Sequence, residues 1–183
     1  MIVYLHGFNS SPQSHKAQVL ARAMSERGLA AEFVCPTLPP SARQAIEIAE
    51  RLAKPPVCYI GSSLGGFYAT YLVEKHGGKA VLINPAIDPH VGLHWYLGPQ
   101  KNLYTGEPYE LTAAHLEEWR SLFMPKITPS RYLLLVETGD EVLDYRRAVE
   151  RYAGAEQVVV RGGDHTLQSF PAHLDRILSF AGY

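Results

Sequence analysis

An α/β fold built on a mostly parallel six-stranded sheet flanked by helices is what this sequence predicts. Three observations predict it. Short apolar runs recur along the chain, amphipathic stretches of helical period separate them, and Gly or Pro marks most junctions. The runs fall at residues 2–5, 31–34, 57–60, 79–83, 132–136 and 157–160. Several are apolar throughout rather than alternating, as expected of strands covered on both faces.

Taken in order, the first run stops at His6-Gly7. A helix over 14–27 follows, with Ala17, Leu20 and Met24 on one face and Gly28 as its stop. After the strand at 31–34, Ser41-Ala42-Arg43-Gln44 reads as a capping box. The next helix carries Ile46, Ala49 and Leu52 or Ala53 on one face and ends at Lys54-Pro55-Pro56. The strand at 57–60 runs into a glycine-rich turn and a helix with Leu64, Phe67 or Tyr68, and Tyr71 on one face. Asp144 is placed to cap a helix through Tyr152, and a last helix after Pro171 turns Leu174, Ile177 and Leu178 inward. Residues 85–126 break the alternation. No strand is expected there, only a helix near 112–123, and the segment is read as a cap-like insertion over a site.

The 183 residues suit one domain, 1–183. A hydrophobic share of 46% with 19% charged excludes a disordered or fibrous chain. A net charge of -1 leaves no electrostatic footprint for nucleic acid or an anionic membrane. The apolar start, Met1 to Leu5, is too short for a signal peptide or a membrane span, so a cytoplasmic protein is expected. Cys35 and Cys58 stand in no CxxC pair and read as buried small hydrophobes, without a disulfide.

Gly61-Ser62-Ser63-Leu64-Gly65-Gly66 is G-x-S-x-G between a strand and a helix, the context in which such a serine is a nucleophile. The turn is sharp, and Gly61 and Gly65 let neighbouring backbone approach. A serine hydroxyl needs a base to take its proton and a carboxylate to orient that base. Both follow in chain order on loops after strands: Asp140 in Thr138-Gly139-Asp140, then His165 in Gly163-Asp164-His165. Of the eight histidines, only His165 and His173 lie far enough along the chain, and His173 reads as part of the last helix. Glu137, Glu141, Asp144 and Asp164 compete with Asp140 for the acid. Asp144 has a simpler task as a helix cap, Asp164 would have to curl back onto its neighbour, and Glu137 belongs to the strand end. Two N–H donors must face the oxyanion, and Leu64 and Phe8, the latter after His6-Gly7, are placed to supply them. Asp88, His90 and His94 are weak metal candidates, because Pro89 and Gly92 interrupt a regular helix. No phosphate-binding or dinucleotide fingerprint occurs, so no metal and no cofactor is expected. The aromatic residues Trp95, Tyr96, Tyr104, Tyr109 and Trp119 could line an acyl pocket, with packing as the default explanation.

On these segments, together with Tyr4-Leu5-His6-Gly7-Phe8-Asn9-Ser10-Ser11-Pro12, Asn84-Pro85-Ala86, Tyr104-Thr105-Gly106 and Thr138-Gly139-Asp140-Glu141-Val142-Leu143-Asp144-Tyr145, the chain resembles the YqiA-like bacterial esterases of the α/β-hydrolase superfamily. The resemblance implies a compact α/β-hydrolase fold. It also implies a serine carboxylesterase for short acyl chains, acyl thioesters included, with Ser63, Asp140 and His165 as its triad. It departs at Asp164, where Asn is expected. The partner expected is a small ester or thioester, and nothing in the sequence speaks to oligomeric state. The rival readings are an acyltransferase or peptidase using the same triad and a non-catalytic binding module on this fold.

Overall fold

The computed structural model describes residues 1–183. In chain order its main elements are β1 (Ile2–Leu5), α1 (His15–Glu26), β2 (Phe33–Val34), α2 (Ala42–Leu52), β3 (Cys58–Ser62), α3 (Leu64–His76), β4 (Lys79–Ile83), α4 (Pro89–Gly92), β5 (Gly98–Lys101), β6 (Pro108–Leu111), α5 (Ala113–Ser121), β7 (Tyr132–Glu137), α6 (Tyr145–Arg151), β8 (Glu156–Val160) and α7 (Leu174–Ala181). Six strands form one sheet in the order β2-β1-β3-β4-β7-β8, and every pairing in it is parallel.

Helices cover both faces, which explains why the central strands β1, β3 and β7 are buried throughout. Successive residues of β1 divide between the two sides. Val3 and Leu5 join Phe67, Leu72, Leu134 and Trp119 on the face of α2, α3, α5 and α6. Ile2 and Tyr4 join Leu20, Met24, Ile177 and Leu178 under α1 and α7. Because the chain steps from β1 outward to β2 and then back to β3, the ends of β1 and β3 open a crevice between them. In open parallel sheets that is where ligands bind. The turns at His6-Gly7 and at Ser63 both empty into it.

The structure corrects several expectations. The strand expected over 31–34 begins two residues late, because Ala30–Glu32 is a 3-10 turn. The last helix starts at Leu174, after a 3-10 turn over Phe170–His173, so His173 precedes the helix rather than lying within it. Cys58 is buried, Cys35 only half-buried, and both thiols are free. The largest correction falls in the insertion. Strands β5 and β6 pair antiparallel there, Gln100 opposite Tyr109. Neither GPQK nor PYEL alternates hydrophobic and polar residues cleanly, and each contains a proline, so the period-2 signal is absent. The turn between them supplies the order: Asn102 Oδ1 accepts the Tyr104 and Thr105 amides at 2.9 and 3.0 Å. Trp119 of α5, wholly buried, donates to the Tyr68 hydroxyl at 2.7 Å and ties the insertion to α3.

Candidate active site

Ser63 is the hinge between β3 and α3, with φ 54° and ψ -118°, a left-handed conformation a serine adopts only under constraint. The constraint is visible. Its N–H donates to the Ile83 carbonyl at 2.9 Å, and its carbonyl accepts the Gly66 and Ala86 amides at 2.9 and 3.0 Å. The crowding leaves no room for side chains. A Cβ on Gly61 would collide with the Gly65 carbonyl, one on Gly65 with the Leu5 carbonyl, and one on Gly66 with the Pro85 ring. The glycines of the motif are thus a packing requirement of the elbow.

The elbow aims Ser63 Oγ at His165, whose Nε2 lies 3.1 Å away. His165 Nδ1 in turn lies 2.8 Å from Asp140 Oδ2. The other Asp140 oxygen accepts the Val142 and Leu143 amides at 2.9 and 2.8 Å, so the carboxylate cannot swing away. Burial opposes its charge, but the imidazole and these two amides outweigh burial and hold the carboxyl below its ordinary value. An ionised Asp140 accepts Nδ1–H, which leaves Nε2 with a lone pair facing the serine hydroxyl.

The competing acids have other work. Asp144 caps α6 by accepting the Arg146 amide. Asp164 turns its carboxylate to Thr166 and Gln168, away from the neighbouring ring. Glu141 accepts the His165 backbone amide at 3.0 Å. Glu137, set aside above as a strand end, is the residue sequence reasoning missed. It is 1% exposed and accepts the amides of Asp164, Gln168 and Ser169 at 2.8, 3.0 and 2.8 Å. Burial raises its pKa, and those bonds more than reverse the effect, so the net direction is downward. Asn84, buried with φ 39°, completes the support. Its Nδ2 donates to the Asp164 and His165 carbonyls, and its Oδ1 accepts the Glu137 amide. Lys16 Nζ holds the Thr166 carbonyl at 2.7 Å. A charged residue at the end of an apolar strand is the one sequence signal that pointed to Glu137.

His6 shapes the opposite wall. Its Nδ1 lies 3.0 Å from the Gly7 carbonyl, and its Nε2 accepts the Leu38 amide at 3.0 Å, so it is a neutral strut. Burial lowers its pKa and keeps it so. Gly7 packs against Ser63, where a Cβ would stand 3.3 Å from that of the serine. Phe8 and Leu64 line the same cavity as Ser63 and His165, about 560 Å³ in volume. The Leu64 N–H is one of the orphan donors of a helix start, and the Phe8 N–H donates to no group of the protein. The hairpin clamps the loop that carries Phe8: Asn9 accepts the Tyr109 hydroxyl at 2.6 Å and donates to Gln100, while Asn102 donates to the Ser10 carbonyl. Asp88 bridges Arg147, and no three His, Cys, Asp or Glu side chains converge as a metal set. No helix is long and apolar enough to cross a membrane.

The architecture recurs in solved structures. A putative hydrolase from Agrobacterium vitis superposes with a TM-score of 0.78 at 21% identity, over 98% of this chain and 87% of that one. Alpha/beta hydrolase domain-containing protein 10 from mouse gives 0.73 at 17%, over 97% and 87%. The esterase domain of a Rhodothermus marinus protein gives 0.64 at 19%, over 97% and 83%. At these identities the likeness is one of fold, and the fold is that of the α/β hydrolases. A family model matches residues 1–182, and the chain therefore belongs to the uncharacterised protein family UPF0227, the YqiA family.

Proposed function

We propose that the protein is a serine esterase that hydrolyses short-chain carboxylic esters, thioesters included, through an acyl-enzyme. Ser63 attacks the acyl carbonyl while His165 Nε2 takes its proton. Asp140 holds the tautomer and stabilises the imidazolium, and the Phe8 and Leu64 amides receive the oxyanion. His165 then protonates the leaving group, and water repeats the sequence on the acyl-enzyme. The observation that carries the reading is the position of His165, within hydrogen-bonding distance of both Ser63 and Asp140. Esterase and hydrolase neighbours of the same fold support it.

Residues 85–126 act in this reading as a cap that shapes substrate choice, since Ile87, Val91, Leu93 and Tyr96 line the cavity above Ser63. The chemistry asks for no cofactor, and the setting is the cytoplasm. Hydrolysis of p-nitrophenyl acetate tests the proposal. Ser63→Ala should lower the rate by roughly four powers of ten or more with the fold intact. A Ser63→Ala protein as fast as the wild type would refute it.

A further inference from the structure

The chain leaves eight large apolar side chains exposed. Four of them, Val91, Tyr96, Leu103 and Val142, line the cavity that holds Ser63 and His165, and each is at least half exposed. They come from separate segments: Val91 from α4, Tyr96 from the 3-10 turn after it, Leu103 from the turn between β5 and β6, and Val142 from the loop after Asp140. The mouth is therefore apolar on several sides. Val159, by contrast, lies on β8 and lines no part of that cavity. The rim is also held in place. The Leu103 amide donates to the Asn9 carbonyl at 3.0 Å, the Val91 amide to the Asp88 carbonyl at 2.9 Å, and the Val142 amide to Asp140 Oδ1 at 2.9 Å. The carboxylate that orients His165 thus fixes Val142 as well. Charge at the mouth is balanced: Asp88 pairs with Arg147, and Asp144 with Arg146 at 2.8 Å.

Resting on the esterase reading, we infer that this rim docks on the surface of an aggregated, uncharged, water-insoluble ester, so that Ser63 draws its substrate from an apolar phase. Water held against fixed apolar groups is unfavourable, and contact with an apolar phase removes it. The occupant follows from where the cavity opens. A protein seated on these four residues would stop the mouth that substrate must enter, whereas an ester phase covers the rim and supplies the substrate in one contact. The paired charges give no attraction for an anionic surface, and a neutral ester phase requires none. Short acyl chains fit this account, because the cavity takes the reacting ester group while the rim meets the phase around it.

Tributyrin, a short-chain triester that separates from water as droplets, is the probe. Ser63→Ala protein, mixed with the emulsion and centrifuged, should leave the water with the droplets. Adding Val91→Gln, Leu103→Gln and Val142→Gln together should lower its partition coefficient by about tenfold or more, since three apolar side chains no longer leave water. Adding Val159→Gln alone, at an exposed position away from the mouth, should not. All four positions are exposed, so the fold is spared. With Ser63 restored, the hydrolysis rate should climb steeply as droplets form, and the climb should vanish in the triple rim variant. Ser63→Ala protein that stays in the water, or a rim variant that binds as well as the Val159→Gln protein, overturns the docking and leaves the esterase reading in place. Equal partition onto phosphatidylcholine vesicles, or a wild-type dimer that the rim variant dissociates, gives the face to another occupant and overturns the docking too. Partition onto droplets with no hydrolysis of dissolved tributyrin by the wild type overturns the esterase reading and leaves the apolar docking surface standing alone.

Discussion

Glu137 accepts the backbone amide of Asp164 at 2.8 Å, so the residue beside the proposed base hangs from a buried carboxylate at the end of β7. That carboxylate touches no part of the Ser63 cavity, yet it orders the turn that presents His165. Gly163 follows from the same contact: its φ of 71° and the Glu137 carboxylate against it leave no place for a side chain.

Glu137→Gln turns one acceptor oxygen into a donor facing backbone N–H groups, leaving at least one buried amide unpaired at a cost of about 1–3 kcal/mol. Thermal unfolding should register that loss, and kcat should fall with KM little changed, because the turn moves the base and not the binding walls. The carboxyl is held below its ordinary value of 4.5, so its contribution is present above that pH and is lost as pH falls through the lowered value. Stability curves below pH 4.5 should therefore be shallower in Glu137→Gln than in the wild type.

Asp140→Asn and Asp144→Asn separate the acid from the cap. The first should lower kcat by about four powers of ten, as expected when the imidazole loses its tautomer partner. The second should change kcat within a few-fold and cost at most about 1 kcal/mol as a weakened cap. Steady-state kinetics of the pair check the assignment, and equal losses would contradict it.

Two glycines make an opposed pair. Gly65→Ala drives a methyl into the Leu5 carbonyl and should prevent soluble expression or lower Tm steeply. Gly28→Ala meets no atom within 4 Å and bears only its φ of 73°. It should cost about 1–2 kcal/mol by thermal denaturation.

His6 gives a pH signature. Its folded pKa lies below 6.5, so the unfolded chain binds a proton first as pH falls, and stability declines as pH drops below 6.5. His6→Gln, which keeps an acceptor for the Leu38 amide, should flatten that decline. Urea midpoints across this range provide the check.

How much of this was legible in the sequence depends on the range of each interaction. The central strands of the main sheet announced themselves because they are buried on both faces, and Ser63, Asp140 and His165 because each sits on a turn after a strand of that sheet. The Ser41 and Asp144 caps were equally local. The hairpin at β5 and β6 was hidden because its order comes from the Asn102 side chain in its turn and from Asn9, far away in the chain, and not from its own alternation. Glu137 and Asn84 were hidden for the same reason. Their partners are backbone amides and carbonyls, which look alike in every sequence, so only the folded turn reveals what they hold.

The central claim, that Ser63 is a nucleophile activated by His165, is tested most directly by intact-mass and peptide mapping after treatment with a fluorophosphonate. The account predicts a single adduct, mapped to Ser63, absent from Ser63→Ala and formed far more slowly in His165→Ala. An unlabelled wild-type protein, or an adduct on another residue that persists in Ser63→Ala, would contradict it.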